Sequence, residues 1–455
     1  MTYVPHTPLD RAEMLATIGV RSIEDLFEDI PVDRRVHHLD LPSPLSEMET
    51  ARLMARIAGE NQPVTELASF LGAGGYRHFI PSVVAHITGR SEFYTAYTPY
   101  QPEVSQGTLQ VIYEYQSMVA ELTGMDVANA SMYDGASALG EAVLMAAAVT
   151  RRKRIAIASS VHPQYRAVAE TYASGPDIDV RAIPQSFAGQ FDARLGVSTA
   201  MASLDESCAA LIVQQPNFLG AIEDLRALAE TAHRVGALLI VAVNPIALAL
   251  LESPGSAGAD IVVGEGQPLG IPLSFGGPWL GIFAARNEFV RQMPGRIVGI
   301  TTDVDGRRGL VLTLQSREQH IRRERATSNI CTNQALCALA STVYLATVGR
   351  IGLRTVARLC LERAHDAARR IGALPDVQLA SASPFFHEFV VRSPLPGTEL
   401  LRRLRGDAVI GGYPLGRDYP DLENAILVCI TEANTTVEID LLVEAIARHT
   451  SGASR

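Results

Sequence analysis

The residues with chemical reach gather in four stretches. YTPYQPEVSQG sets Tyr97, Thr98, Tyr100, Gln101, Glu103, Ser105 and Gln106 along backbone stiffened by Pro99 and Pro102. Hydrogen-bonding side chains at that density on a connecting segment suit a binding surface, although such a loop can also serve only to pack. REQHIRRER crowds Arg317, Glu318, His320, Arg322, Arg323, Glu324 and Arg325. Guanidinium groups there can grip carboxylates or phosphates through paired hydrogen bonds, or Glu318 and Arg322 can brace a helix as an i,i+4 pair. YDGASALGE puts Asp134, Gly135 and Ser137 at a loop-to-helix junction. Backbone N–H groups at such a junction either cradle an anion or are capped by Asp134 itself. Finally, GEGQPLGIPLSFGGP carries Gln267 just past an apolar run. A carboxamide is not an amine nucleophile, and the chain holds one lysine, Lys153, among 39 Lys and Arg.

Other chemistries find little support. His78, His86 and His162 lack the partner spacing of metal ligands and are expected to be structural, so no metal site is expected. Cys208, Cys331, Cys337, Cys360 and Cys429 form no CxxC pair, which suits reduced thiols and a cytoplasmic location. Net charge is −10 and the densest basic run is only Arg151 to Arg154, which argues against a nucleic-acid partner. The longest apolar run, Ala237 to Leu251, is short for a bilayer and contains Asn244-Pro245. Neither a membrane segment nor a secretory signal is expected.

Those stretches need a large scaffold, and 455 residues suit more than one core. Residues 1–65 read as an N-terminal helical arm, with Asp10 capping a helix from about Arg11 and Ser22 preceding IEDLF. Residues 68–108 read as irregular, extended backbone, followed by helices over Gly107–Leu122 and Leu139–Val149. The apolar runs RIAIAS, DVRAIP, AALIV, ALLIVAV, DIVVG and LGIFAA then alternate with helical segments such as His162–Ala173 and Glu223–Val235. That alternation predicts a large α/β domain over 66–325 with a mainly parallel sheet covered by helices. A small C-terminal α+β domain is expected over 326–455: a helix over Ser328–Ile371, then strands at Val377–Ala382, Glu388–Val391 and Ala425–Ile430.

Four long stretches, FLGAGGYRHFIPSVV, YTPYQPEVSQGTLQ, SMYDGASALGEA and SREQHIRRERATSNICTNQAL, occur in order. Through them the chain resembles glycine decarboxylases, the P-proteins of glycine cleavage systems, and among these the first (alpha) subunit of the two-subunit form. The resemblance implies the fold of type I pyridoxal-phosphate-dependent transferases. That fold carries a Schiff-base lysine where Gln267 stands, and a carboxylate against the pyridinium nitrogen where Val243 stands. It therefore implies that the second subunit binds pyridoxal phosphate covalently, and that this chain holds none in that way and is inactive alone. Asp134, Gly135 and Ser137 become a vestigial anion turn. In type I dimers each active site lies near the subunit boundary. Tyr97, Thr98, Tyr100, Gln101, Glu103, Ser105, Gln106, Arg317 and His320 are accordingly candidates to complete the partner's pocket. Glycine, the lipoyl H-protein and the second subunit are the expected partners, in a heterotetramer of two subunit pairs. The alternative is a structural or regulatory paralogue with no side chain in the chemistry.

Overall fold

A computed structural model describes residues 5–36, 38–64, 66–95, 97–330 and 333–451. The chain divides into two compact units, Met1–Gln62 and Pro63–Arg455. In the first unit, α1 (Pro8–Ile18) is capped by Thr7, not by Asp10. Pro8 starts the helix early, because its fixed φ suits the first helical position and it has no N–H to lose. Asp10 instead closes a capping box, accepting the Thr7 N–H at 2.7 Å. A second box, Ser46 with Glu49, opens α2 (Glu47–Ala58).

The second unit begins with β1 (Ala68–Ser69), α3 (Ser82–Thr88) and α4 (Ser91–Tyr94), so the stretch expected to be irregular is partly helical. α5 (Pro102–Thr123) starts at Pro102 and not at Gly107, for the same reason as α1. Glu103, Ser105 and Gln106 therefore lie in its first turns, where Ser105 departs from helical angles (φ −122, ψ 17). β2 (Val127–Ala128) and α6 (Gly135–Thr150) follow. The alternating core then runs β3 (Arg154–Ala158), α7 (Pro163–Ser174), β4 (Asp179–Ile183), α8 (Val197–Ser203) and β5 (Cys208–Gln215). It continues with α9 (Leu225–Arg234), β6 (Leu238–Val243), β7 (Ile261–Glu265) and β8 (Gly281–Ala285).

These strands form a seven-stranded sheet in the order β2-β8-β7-β6-β5-β3-β4. β3 to β7 are parallel, and β8 and β2 add antiparallel at one edge. The mainly parallel α/β sheet is the one the apolar runs implied: Leu211, Ile212, Val241 and Val262 are fully buried because helices cover both faces.

A hairpin not foreseen from the sequence follows, β9 (Ile297–Thr302) with β10 (Arg308–Thr313). Then come α10 (Gln319–Arg322) and the long α11 (Ala335–Gly372), broken at Gly349 (φ 59, ψ −177). By length and composition α11 is apolar enough to cross a membrane. It nevertheless buries Leu339, Tyr344, Ala357 and Ala364 inside this unit, as a core helix does. The remainder is β11 (Gln378–Leu379), β12 (Glu388–Arg392), α12 (Gly397–Gly406), β13 (Val409–Ile410), β14 (Tyr413–Pro414), β15 (Ala425–Cys429) and α13 (Thr436–Thr450). Its antiparallel sheet runs β11-β12-β15-β14. β1 pairs in parallel with β13, so Ala68 and Phe70 share one apolar cluster with Leu404, Ile426 and Leu442. The C-terminal layer thus borrows chain from ahead of the large sheet. Truncating a fully buried leucine there, such as Leu442, costs about 2–5 kcal/mol. Cys208, Cys337, Cys360 and Cys429 are free thiols, and Cys331 lies outside the described residues.

Candidate functional site

In an open parallel sheet, ligands bind beyond the C-terminal ends of the strands. Here that end opens on a cleft of about 700 Å³ lined by Asp134, His162, Tyr165, Tyr172, Glu265 and Trp279 among others. Lys153 stands just ahead of β3, at the opposite end of the sheet. Its ammonium donates to the Pro176 carbonyl at 3.1 Å in solvent.

Gln267 follows β7 and is 2% exposed. Its Nε2 donates to the carbonyls of Tyr76 (2.9 Å) and Ile271 (2.8 Å), while its Oε1 accepts the Tyr76 N–H at 2.9 Å. The carboxamide is thus a bracket between two backbone segments, with donors and acceptor all used. Val243 ends β6 in an apolar setting, 6% exposed, against Gly264 of β7.

The turn at the start of α6 is closed as well. Asp134 Oδ1 accepts the Ser137 N–H at 2.7 Å, and Ser137 Oγ accepts the Asp134 N–H at 3.2 Å. The Gly135 N–H goes to Glu265 Oε2 at 3.0 Å. Glu265 Oε1 also accepts the N–H groups of Gln267 (2.9 Å) and Leu280 (3.0 Å). Burial pushes the Glu265 carboxyl up to about 7, against the pull of those three amides. The anion turn expected at Asp134, Gly135 and Ser137 is therefore a capped helix start facing an internal carboxylate. With no amine at 267, no carboxylate at 243 and its anion turn occupied, this pocket does not fit pyridoxal phosphate.

A second region is built differently. Tyr100, from the tyrosine-rich stretch, and His320, from the arginine-rich one, meet edge to face at 5.6 Å. Beside Tyr100 lies Arg296, which sequence reasoning missed. Its Nη2 donates to Tyr100 Oη at 2.8 Å and its guanidinium sits 5.3 Å from the Tyr100 ring centre. Glu318 Oε2 lies 3.4 Å from Arg296 Nε, near enough for charge but not aligned for a hydrogen bond, and 3.6 Å from His320 Nδ1. Arg296 is 5% exposed, yet its Nη1 has no hydrogen-bond partner among the described residues.

Nearby, Tyr97 and Thr98 line a smaller cleft of about 230 Å³ with Tyr94, Gln334 and Leu336. Gln334 also lines the larger cleft, so the two regions are neighbours. Tyr97 is 85% exposed. Gln101 sits just ahead of α5 without capping it by its side chain, and Glu103 is exposed.

Two candidates are spent internally. Gln106 pairs with the backbone of Leu310, donating at 2.9 Å and accepting at 3.0 Å, and so pins α5 to β10. Arg317 is buried and gives its guanidinium to the carbonyls of Met293, Gly295 and Leu314, not to a carboxylate. The expected Glu318–Arg322 pair does not form: α10 spans only four residues, and Glu318 turns to Arg296 instead.

Of the histidines, His162 accepts the Gln164 N–H on Nδ1 and pairs its Nε2 with the Ala73 carbonyl at 2.9 Å, which makes Nε2 the protonated nitrogen. Burial lowers its pKa. His86 is exposed on α3. His78 has a partner that linear spacing could not reveal, since its Nδ1 lies 2.6 Å from Glu432 Oε2. Cys360 Sγ is 3.3 Å from the same oxygen.

Residues 1–446 match the family model described as glycine cleavage system P-protein. A probable glycine dehydrogenase (decarboxylating) subunit 1 from Desulforamulus reducens is 54% identical over 97% of this chain and 98% of its own length. The one from Moorella thermoacetica is 52% identical over 98% of this chain and 99% of its own length. A crystal structure of glycine decarboxylase (P-protein) of the glycine cleavage system, in inhibitor-bound form, superposes with a TM-score of 0.91 at 44% identity. That match covers 98% of this chain and 100% of the other. A sphingosine-1-phosphate lyase from Burkholderia pseudomallei shares the fold alone, at 14% identity with a TM-score of 0.63 over 91% and 93% of the chains.

Proposed function

The chain belongs to the glycine cleavage system P-protein family, and from that premise we propose that it is the first subunit of a two-subunit glycine dehydrogenase (decarboxylating). The second subunit holds pyridoxal phosphate and its lysine. The cofactor would supply the electron sink for the pair left on the α-carbon when glycine loses carbon dioxide. The complex then passes the aminomethyl group to the lipoyl arm of H-protein. The working assembly is a heterotetramer of two subunit pairs in the cytoplasm.

One observation carries this reading. A chain that runs nearly the full length of its subunit 1 relatives places a fully bonded carboxamide, Gln267, where the fold's amine would act. This chain's contribution is then binding and positioning. Tyr97, Thr98, Tyr100 and His320, backed by Arg296, stand at or near the surface and complete the partner's pocket. There they orient glycine and exclude water. The rival reading, a structural or regulatory paralogue, gains support only from Gln106 and Arg317, which serve this chain's own backbone.

The test is glycine–bicarbonate exchange by the chain alone and after mixing with the second subunit. The expected outcome is no exchange alone and full exchange when paired. Turnover by the chain alone sinks the proposal.

A further inference from the structure

Glu265 has no role in the chemistry proposed above, yet it is the most heavily bonded carboxylate in the large cleft. It ends β7, is 6% exposed, and gathers three backbone N–H groups from three separate segments: the start of α6, the residue after Gly266, and the start of β8. One of those groups is the first amide of a 16-residue helix, whose N-terminus favours negative charge. The packing there leaves no slack. A Cβ on Gly135 would fall 2.1 Å from Tyr165 Oη and 2.9 Å from the Glu265 nitrogen, so the helix start is pressed against the strand end.

The surroundings oppose a second anion. Among the described residues that line the cleft there is neither lysine nor arginine, while Asp134 and Glu265 both are acidic. A phosphate group carrying about −1.5 to −2 charges would have to displace one carboxylate and lie beside the other. Convergent amides, a helix N-terminus and an absence of cations make an anion cup that the chain has already filled.

We infer that Glu265 is a built-in substitute for a phosphate group: its carboxylate fills the anion cup at the start of α6 and excludes phosphorylated ligands from this subunit. This inference does not need the glycine chemistry to be right, because it concerns only what the cup of this chain can hold. Loss of the lysine alone would leave a pocket able to bind a phosphorylated cofactor without a covalent bond. Glu265 closes that option, so that the assembled complex loads cofactor on one kind of subunit.

The test uses the full chain and inorganic phosphate, with equilibrium dialysis as the readout. The natural chain is expected to show no saturable site. Glu265→Ala, which leaves three aligned N–H donors around an emptied cup, is expected to gain one site per chain, with affinity at least about tenfold tighter. Two results overturn the inference: saturable phosphate binding by the natural chain, or a folded Glu265→Ala protein that binds no better. Should that variant not fold, the natural chain decides alone. Its thermal midpoint is then followed in millimolar phosphate against sulfate of equal ionic strength, and a saturable stabilisation by phosphate that sulfate does not give refutes the inference.

Discussion

Two neighbouring regions differ in how their central buried polar side chains are answered. The Gln267 carboxamide and the Glu265 carboxylate are answered by the chain's own backbone. The Arg296 guanidinium is answered only in part: it is buried and keeps an unpaired Nη1 among the described residues, while Tyr97 nearby is exposed. Burying a polar group without a partner costs roughly 1–3 kcal/mol, so Nη1 is the place in this region where a further acceptor would be most favourable. The closed region reads as a site converted to structure. Under the proposed function, the open one is a surface that the second subunit finishes.

The sharpest way to break that contrast is to restore the amine. Gln267→Lys removes the acceptor of the Tyr76 N–H and buries an ammonium beside the Tyr76 and Ile271 carbonyls. It is expected to destabilise the chain by roughly 3 kcal/mol without creating a visible cofactor band. A chemical denaturation midpoint equal to that of the natural protein would show that the bracket carries no weight.

Next in size is the open region. Arg296→Met keeps bulk and removes the charge, and glycine turnover by the assembled enzyme is expected to fall roughly tenfold or more. The cut should appear in complex activity and not in subunit pairing, as measured by size exclusion. Unchanged kinetics would move this region to the scaffold side of the comparison.

A smaller effect concerns pH. Burial pushes the Glu388 carboxyl up to about 7, while Ala73 N–H and Tyr76 Oη donate to it. Its folded pKa lies above the unfolded one. The protonated form therefore favours folding fully below the unfolded pKa, about 4.3, and that contribution is lost as pH rises through about 7. Relative to Glu388→Gln, the natural chain should lose thermal stability between pH 5 and pH 8, by about a few degrees. A midpoint difference independent of pH contradicts the assignment. His387, held down to about 3 by burial, acts with the opposite sign: its contribution is lost as pH falls below about 6.5. The comparison with the glutamine variant cancels it.

Smallest is Tyr97→Phe, which removes one exposed hydroxyl. A change of about twofold in glycine KM of the complex is expected, with kcat retained. A large loss of kcat would instead place Tyr97 at the reacting atoms.

How far these regions were legible in the sequence follows from what each depends on. The parallel strands declare themselves, because a strand buried on both faces must be apolar at every position, as in LLIVAV. Local signals also served at α6, where Asp134 and Ser137 form a capping box readable from their spacing alone. The early start of α5 was missed because Pro102, Glu103 and Ser105 have the composition of a loop. The β9–β10 hairpin hid behind polar residues on its exposed end. Gln267 and Val243 could be singled out only through resemblance. Glu265 and Arg296 carried no local signal: their meaning lies in partners from residues 135 and 280, or 100 and 318, which only folding brings together. Arg317 misled for the complementary reason, since a cluster of arginines in a sequence does not say whether carbonyls will claim them first.

The central claim is that this chain keeps the scaffold of a cofactor site but has closed it, leaving the chemistry to the partner. The most direct measurement is the amount of pyridoxal phosphate released by alkali from the purified complex, counted against subunit pairs. The account predicts one cofactor per pair, all of it lost when the second subunit is removed. Two per pair, or cofactor retained by this chain alone, would contradict it.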